Sequence, residues 1–334
     1  MQHGRIVIET IDSKVLQGNA MGDPTRRQLP VYLPPGYDAD SAMRYPSAYV
    51  LAGFTGRGLT MLNDNFGDET IAQRLDRLIS TGSMQPMIVA LPDCLTRLGG
   101  SQYINSAATG RYEDYLIDEI VPFVDACFRT RAERDYRAVL GKSSGGYGAV
   151  MQAMRHPDVF GLAASHSGDM YFEWCYKPDF VKVAAQLGHF GGLKTFVDKL
   201  ATIRPRDAGY HVILNTICMA ACYSPNPHAE NGVGFDLPFD ETTAEIIEPV
   251  WRRWLEWDPV HLAERHADAL RSLRLLHIDV GVHDEFNLQF GARIFCHRLR
   301  ALGVNFTHEE FNDGHMNIPY RYDHSFAAIS RAMG

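Results

Sequence analysis

Residues 136–155 read Tyr-Arg-Ala-Val-Leu-Gly-Lys-Ser-Ser-Gly-Gly-Tyr-Gly-Ala-Val-Met-Gln-Ala-Met-Arg. The apolar run at 136–140 predicts a short buried strand, and residues 144–155 predict a helix that ends before His156-Pro157. Between them lies a tight turn that carries Ser143. A strand, a glycine-bounded turn with a serine and a helix are the parts of a nucleophile elbow.

The residue types in this turn have a physical reason. A serine on a sharp, strained turn exposes its hydroxyl, and the close backbone packing around it favours neighbours without a Cβ atom. Gly141, Gly145 and Gly146 provide that space. Because the helix begins at the turn, its free N–H groups and positive dipole end point toward an oxyanion formed there.

A phosphate-binding loop is the competing interpretation, because Gly141-Lys142-Ser143 resembles the end of that motif. The motif requires a glycine five residues before Gly141, where this chain has Tyr136, and a flexible stretch where it has Ala-Val-Leu. The phosphate-binding interpretation therefore fails. The pattern G-x-S-x-G alone is weak, since roughly one chain in ten of this length contains it by chance.

Composition bounds the class of protein. The chain has 334 residues, 46% hydrophobic content and 22% charged residues, as is usual for a soluble globular enzyme. Its net charge of −8, with scattered Asp and Glu, argues against a nucleic-acid or anionic-membrane partner. No run reaches the roughly 20 apolar residues of a membrane helix, and the N-terminal apolar run is too short for a signal peptide. We therefore expect a cytoplasmic protein.

The six cysteines are dispersed and include no C-x-x-C pair. Cys218 and Cys222 have helical spacing, which fits two buried thiols better than a metal or redox pair. No H-x-x-x-H or comparable ligand spacing points to a metal-dependent hydrolase. We expect no metal and no cofactor, and the sequence leaves homo-oligomer formation open.

Short apolar runs alternate with amphipathic patterns along much of the chain. Strands are predicted at residues 29–33, 47–51, 87–91, 137–140, 161–165, 275–280 and 304–309. Apolar residues at helical spacing follow around residues 117–124 and 295–302. Continuous apolar strands separated by helices predict an α/β fold with a mostly parallel sheet and helices on both faces.

Residues 169–267 break this alternation. They are rich in aromatic residues and helix-like runs, with a Pro-, Asn- and Gly-rich loop at 224–238. We interpret 169–267 as a helical cap insertion, with residues 1–168 and 268–334 forming the core. The alternative is that these helices pack on the flank of the core.

A serine needs a base to remove its proton, and that base is usually a histidine oriented by a carboxylate. His315 follows Gly314 in a loop after the last predicted strand, where the sheet's carboxyl edge presents functional groups. Asp284 follows a glycine-opened turn after the preceding strand, with Glu285 as its rival. The sequence therefore predicts a Ser143–His315–Asp284 triad.

The tetrahedral intermediate of acyl transfer needs two backbone donors. One predicted donor is the N–H of Ser144, directly after the nucleophile. The other is the N–H of Phe54, in the glycine-rich loop at residues 53–58 that follows an early strand.

These segments together resemble the putative-esterase (esterase D-like) family of α/β-hydrolases. The matching segments are 31–37 (Val-Tyr-Leu-Pro-Pro-Gly-Tyr), 53–58, 105–110, 112–116, 141–146, 281–286 and 314–315. The resemblance implies an α/β-hydrolase fold, with Ser143 as nucleophile, Asp284 as acid and His315 as base. Ala52 stands where a histidine is common in that family, and the insertion is long. The resemblance therefore fixes neither a formylglutathione nor a siderophore ester as substrate.

Three functional hypotheses follow. The first is a serine carboxylesterase that forms an acyl-enzyme on Ser143 with a small or aromatic ester. The second is an acyltransferase that uses the same triad, and the third is a non-catalytic binding protein on this fold. Thr55, His166 and Trp174 are the predicted substrate contacts, the last among the cap's aromatic residues.

Overall fold

A twisted sheet of eight strands organises the chain in a computed structural model that describes residues 3–64, 66–203 and 209–334. The strand order is β1-β2-β4-β3-β7-β8-β9-β10, and β5 and β6 form a separate hairpin-like pair. The strands are β1 (Arg5–Asp12), β2 (Arg26–Leu33), β3 (Ser47–Leu51), β4 (Ile88–Ala90), β5 (Asn105–Ser106), β6 (Gly110–Arg111), β7 (Arg137–Lys142), β8 (Leu162–His166), β9 (Leu275–Gly281) and β10 (Thr307–Phe311).

The direction of the strands confirms the predicted mostly parallel sheet. From β4 to β10 each neighbouring pair in the sheet is parallel, whereas β1 and β2, and β2 and β4, are antiparallel. The last strand begins at Thr307 rather than at the predicted residue 304. Val304 instead donates its N–H to Leu299 at the end of the preceding helix, so it is not available to the sheet ladder.

Helices follow most of the core strands. They are α1 (Ile71–Ser80), α2 (Tyr112–Asp114), α3 (Val121–Cys127), α4 (Ser144–Arg155), α5 (Phe172–Cys175), α6 (Phe180–Phe190), α7 (Leu193–Asp198), α8 (Tyr210–Tyr223), α9 (Glu248–Leu255), α10 (Pro259–Leu262), α11 (Ala267–Arg271), α12 (Leu288–Ala301) and α13 (Tyr322–Met333). A π-helical turn at Tyr115–Ile120 joins α2 to α3, and short 3₁₀ turns lie at Gly58–Leu62, Arg134–Tyr136, Lys177–Asp179 and Pro319–Arg321.

Both faces of the sheet are covered by helices, as the continuous apolar strands predict. Side chains alternate across a strand, so Ala138 and Leu140 of β7 face one side and Val139 faces the other. The first side packs against α1 and α13. The second packs against a larger set of helices that includes α3, α4 and α12. The core thus holds the carboxyl ends of the parallel strands rigidly at one edge.

The segment between β8 and β9 contains α5 to α11 and contributes no described residue to the eight-stranded sheet. Cys218 and Cys222 lie buried on α8 as free thiols, in agreement with the simpler interpretation of their spacing. The division into core and cap at residues 169–267 stays a prediction. Among the described residues, the helices are too short or too polar to cross a membrane.

Candidate active site

Ser143 lies between β7 and α4 with backbone angles φ 57° and ψ −127°. A positive φ is costly for a residue with a Cβ atom, by roughly 1–3 kcal/mol, so neighbouring contacts must hold it. The N–H of Ser143 donates to the carbonyl of His166 over 2.9 Å, and the N–H of Tyr147 donates to the carbonyl of Ser143 over 2.9 Å. The elbow is therefore fixed both to β8 and to the first turn of α4.

The glycines of the elbow are required by close backbone packing. A Cβ atom on Gly145 would lie 2.0 Å from the carbonyl oxygen of Leu51, and one on Gly141 would lie 2.5 Å from the same oxygen. A Cβ atom on Gly146 would lie 2.9 Å from Ser165 Oγ. Helix α4 thus packs against the sheet more closely than any side chain permits, as the glycine pattern predicts.

The loops after β9 and β10 lie side by side because these two strands are parallel neighbours. Here His315 Nδ1 donates to Asp284 Oδ2 over 2.8 Å. Both residues are buried, with 4% and 3% of their surface exposed. The ring of Phe286 packs edge-on against the His315 ring, with centroids 4.8 Å apart. Asp284 and Phe286 therefore fix the orientation of the imidazole, and its Nε2 atom is the nitrogen left for another partner.

Glu285, the rival acid, has a different contact. Its Oε2 atom accepts a hydrogen bond from the backbone N–H of His315 over 2.7 Å. A Cβ atom at position 314 would lie 2.6 Å from Glu285 Oε1, so a side chain there would displace the Glu285 carboxylate. Asp284 thus contacts the ring of His315, and Glu285 contacts its backbone.

One cavity of about 540 Å³ contains the predicted nucleophile, base and oxyanion donors together. Its lining residues are Gly53, Phe54, Thr55, Gly56, Thr60, Lys142, Ser143, Ser144, Asp169, Cys175, Tyr176, His211, Asn215, Phe286, Leu288, His315 and Met316. Within the part of the chain that the structure describes, the N–H groups of Phe54 and Ser144 donate to no protein acceptor. They are available to an oxyanion in this cavity.

The loop that carries Phe54 lies directly against the elbow. A Cβ atom on Gly53 would lie 3.3 Å from the carbonyl oxygen of Lys142 and 3.5 Å from Ser143 Cβ. The N–H of Gly56 closes a turn onto the carbonyl of Gly53 over 2.9 Å. This close approach explains why a glycine precedes Phe54.

Comparison with known proteins identifies the family: the pattern of the family described as "Putative esterase" matches residues 18–328. The chain belongs to this esterase family. The family is therefore as predicted from the sequence.

Individual relatives agree with the family. An endo-1,4-beta-xylanase/feruloyl esterase of Xylanibacter ruminicola is 33% identical over 144 residues, which are 42% of this chain and 19% of that protein. A solved ferulic acid esterase has a TM-score of 0.63 and 20% identity, with 100% of both chains covered. The fluorophosphonate-binding serine hydrolase FphF of Staphylococcus aureus has a TM-score of 0.60 and 15% identity, with 99% of both chains covered. The solved structures share the α/β-hydrolase fold with this chain. The chain spans about a fifth of the length of the first curated relatives that it matches.

His166 corrects one sequence prediction. Its ring does not line the cavity but is 1% exposed, with Nδ1 bonded to Asp279 Oδ1 over 2.7 Å and Nε2 bonded to Ser325 Oγ over 2.9 Å. The side chain thus points to the face of the sheet covered by α13. His166 contributes to the candidate site through its carbonyl group, which accepts the N–H of Ser143.

The other predicted substrate contacts differ in position. Thr55 lines the main cavity, whereas Trp174 lines a neighbouring depression of about 250 Å³ that shares Cys175 and Phe286 with it. Among the other aromatic residues of the insertion, Tyr176 lines the main cavity. Phe172, Trp251 and Trp254 are buried in the hydrophobic core, so these rings contribute to packing.

Sequence reasoning did not assign a place in the cavity to four of its polar residues: Thr60, Lys142, His211 and Asn215. His211 and Asn215 are spaced by one turn on α8, so their common face was visible in the sequence, but its partner was not. Asp169, three residues after the end of β8, also lines the cavity. Burial lowers the pKa of the Lys142 amine, and the charges of Asp284 and Glu285 oppose this effect.

Two groups of three side chains among the described residues have metal-ligand spacing, and neither includes a cavity residue. They are Glu173, Asp258 and His261, and His277, Asp279 and Glu309. In the first group, Asp258 accepts hydrogen bonds from the backbone N–H groups of Tyr171, Phe172 and Val260. In the second, Asp279 accepts from the Arg321 guanidinium over 2.9 Å. Protein donors therefore account for both central carboxylates.

Proposed function

We propose that this chain is a serine carboxylesterase in which Ser143 is the nucleophile, His315 the general base and Asp284 the residue that orients the base. The observation that carries the proposal is the single cavity lined by Ser143 and by a His315 ring whose Nδ1 donates to buried Asp284. Along the chain the nucleophile comes first, the orienting carboxylate second and the base third, which is the order Ser, Asp, His that this fold uses.

The reaction proceeds in two steps. His315 Nε2 takes the Ser143 proton as Oγ attacks the ester carbonyl, and the N–H groups of Phe54 and Ser144 stabilise the resulting oxyanion. The imidazolium then protonates the leaving alcohol, and the acyl group stays on Ser143. In the second step, His315 removes a proton from water as it attacks the acyl-enzyme, and the imidazolium then returns this proton to Ser143 Oγ as the acid leaves.

The cavity supports a small or aromatic ester as the substrate. A volume of about 540 Å³ lies in the range of small-molecule sites, and aromatic rings of Phe54, Tyr176 and Phe286 contribute to its wall. The chain's similarity to an endo-1,4-beta-xylanase/feruloyl esterase and to a ferulic acid esterase adds support for aryl esters.

A rate survey tests this function. p-Nitrophenyl esters of increasing acyl length and a set of aryl esters are assayed with wild type, Ser143→Ala and the control Ser41→Ala on the exposed surface. We expect Ser143→Ala to lose about three or more orders of magnitude in kcat/KM and Ser41→Ala to keep wild-type rates. Equal turnover by wild type and Ser143→Ala would reject the mechanism. Product analysis with and without an added alcohol decides whether water or an alcohol accepts the acyl group.

A further inference from the structure

Asp169 presents a carboxylate oxygen to the cavity that the proposed mechanism does not use. The residue is 7% exposed and lines the cavity beside Ser144 and Tyr176. Its Oδ2 atom accepts from Tyr176 Oη over 2.8 Å, from Gln102 Nε2 over 3.2 Å and from Ser144 Oγ over 3.4 Å. Its Oδ1 atom accepts no hydrogen bond from the described residues.

This arrangement differs from that of the other buried carboxylates in the described chain. Each of those faces an Arg or His side chain or at least two backbone N–H groups; they are Asp23, Asp93, Glu113, Asp258, Asp279 and Asp284. Asp169 has only neutral side-chain donors, all on one oxygen. A buried carboxylate without a cationic partner is costly, which indicates a function other than stability.

The surrounding chain holds this carboxylate in one orientation. Gln102 and Tyr103 both have a positive φ, 52° and 56°, in a segment that brings the Gln102 amide to Asp169. The same amide donates to Tyr223 Oη over 2.9 Å. Because three donors fix Oδ2, the direction of Oδ1 is fixed as well. Burial raises the pKa of Asp169 above its ordinary value, and the hydrogen bond from Tyr176 and the charge of His315 oppose this effect.

We propose that Asp169 determines specificity by accepting a hydrogen bond, through Oδ1, from a hydroxyl group of the ester substrate. This inference rests on the proposed esterase function. It predicts that the preferred ester carries a hydroxyl group that reaches the wall of the cavity near Ser144. An ester in which that hydroxyl is methylated leaves Oδ1 without a partner and adds a methyl group against it, so the site rejects it.

Paired substrates locate the hydroxyl group. In one arm the acyl group carries it: methyl esters of hydroxybenzoic and hydroxycinnamic acids are compared with their O-methyl ethers. In the other arm the alcohol carries it: monoacetin is compared with its di-O-methyl ether. We expect wild type to prefer the hydroxylated member in one arm by about ten- to a hundredfold in kcat/KM, the range of a hydrogen bond to a charged group.

Asp169→Asn is the variant that separates recognition from folding. Its amide oxygen can occupy the Oδ2 position and keep the three internal donors, which places the NH₂ group at the Oδ1 position. The cavity then offers a donor where it offered an acceptor. We expect the preference to fall to about threefold or less in this variant, with no loss in the thermal midpoint, since a buried charge is removed.

Tyr223→Phe is the control. It removes the hydroxyl that accepts a hydrogen bond from Gln102 but leaves the hydrogen bonds to Asp169 in place, so this variant should keep the preference for the hydroxylated ester. A wild type without preference in either arm overturns the proposal, as does an Asp169→Asn variant that keeps the full preference. Both results can be measured as long as wild type hydrolyses the esters. Absence of any Ser143-dependent hydrolysis would instead reject the proposed function.

Discussion

The backbone N–H of His315 donates to the carboxylate of Glu285 over 2.7 Å, while the ring of the same histidine donates to Asp284 over 2.8 Å. Two adjacent acidic residues therefore hold one histidine at two different points. Only the Asp284 contact changes with the charge of the imidazole, because the Glu285 contact is made to the backbone. The two acids should differ in their effect on the reaction.

We expect Asp284→Asn to lower kcat by about three to four orders of magnitude, since the amide favours the wrong tautomer of His315. Glu285→Gln keeps an oxygen that accepts the His315 N–H, so its loss should stay within about tenfold. The measurement is kcat of both variants on one p-nitrophenyl ester. If Glu285→Gln lost as much kcat as Asp284→Asn, the assignment of Asp284 as the acid that orients His315 would be wrong.

The elbow glycines give a prediction of stability. In Gly145→Ala the new Cβ atom meets the Leu51 carbonyl at 2.0 Å, so α4 must move away from β3, and we expect a loss of about 3 kcal/mol. Gly188→Ala on α6 is the matched control, because no atom lies within 4 Å of its Cβ position and alanine favours the helix by about 0.5–1 kcal/mol. Thermal unfolding midpoints compare the two. A Gly145→Ala variant as stable as wild type would contradict the close packing described here.

Local patterns explain why much of this site could be predicted from sequence. A glycine needed for close packing, a strand that precedes it and a helix that follows it all lie within residues 136–155. Asp284 and His315 could be predicted as a pair because each follows a predicted strand, and parallel neighbours end at the same edge. Such signals depend on residues near one another in the chain.

The wrong assignment of His166 shows where this reasoning ends. Side chains alternate between the two faces of a strand, so a shift of one residue along the strand places a side chain on the opposite face. The exact register of the strand, which the sequence does not show, therefore decides on which face His166 lies. His166 pairs with Lys142 and Asp279 inside the ladder and points toward α13, whereas Asp169, three residues later, reaches the cavity. The edge strand β1 and the cavity residues of α8 were also missed, since their roles depend on tertiary packing.

Asp279 gives a prediction of pH dependence. Burial alone would raise the pKa of this carboxyl, but the neighbouring His166, His277 and Arg321 outweigh burial and hold it well below its usual range. A depressed carboxyl pKa stabilises the fold above the unfolded-state pKa, and this contribution is lost as the pH falls below about 4. We therefore expect Asp279→Asn to destabilise the protein by about 3 kcal/mol near neutral pH.

The difference between wild type and Asp279→Asn should narrow as the pH falls below about 4, because Asp279 of the unfolded wild-type chain then binds a proton while the folded protein keeps the carboxylate ionised. Urea unfolding of both proteins at several pH values measures it. Asp198→Asn, on the exposed end of α7, serves as the control and should show a small difference at every pH. A difference for Asp279→Asn that stays constant across this range would show that its charge does not stabilise the fold.

The thiols of Cys127 and Cys175 should differ in reactivity although Cys175 lines the cavity. Cys175 is 6% exposed, and burial, followed by the charge of Asp169, raises its pKa well above the ordinary value. Cys127 is exposed at the end of α3. Because the thiolate is the reactive form and must be reached by the reagent, we expect iodoacetamide near neutral pH to alkylate Cys127 first. Peptide mass spectrometry identifies the modified residue, and Cys127→Ser should lose the fast phase. Alkylation of Cys175 at the rate of Cys127 would mean that the cavity wall opens far more than the structure shows.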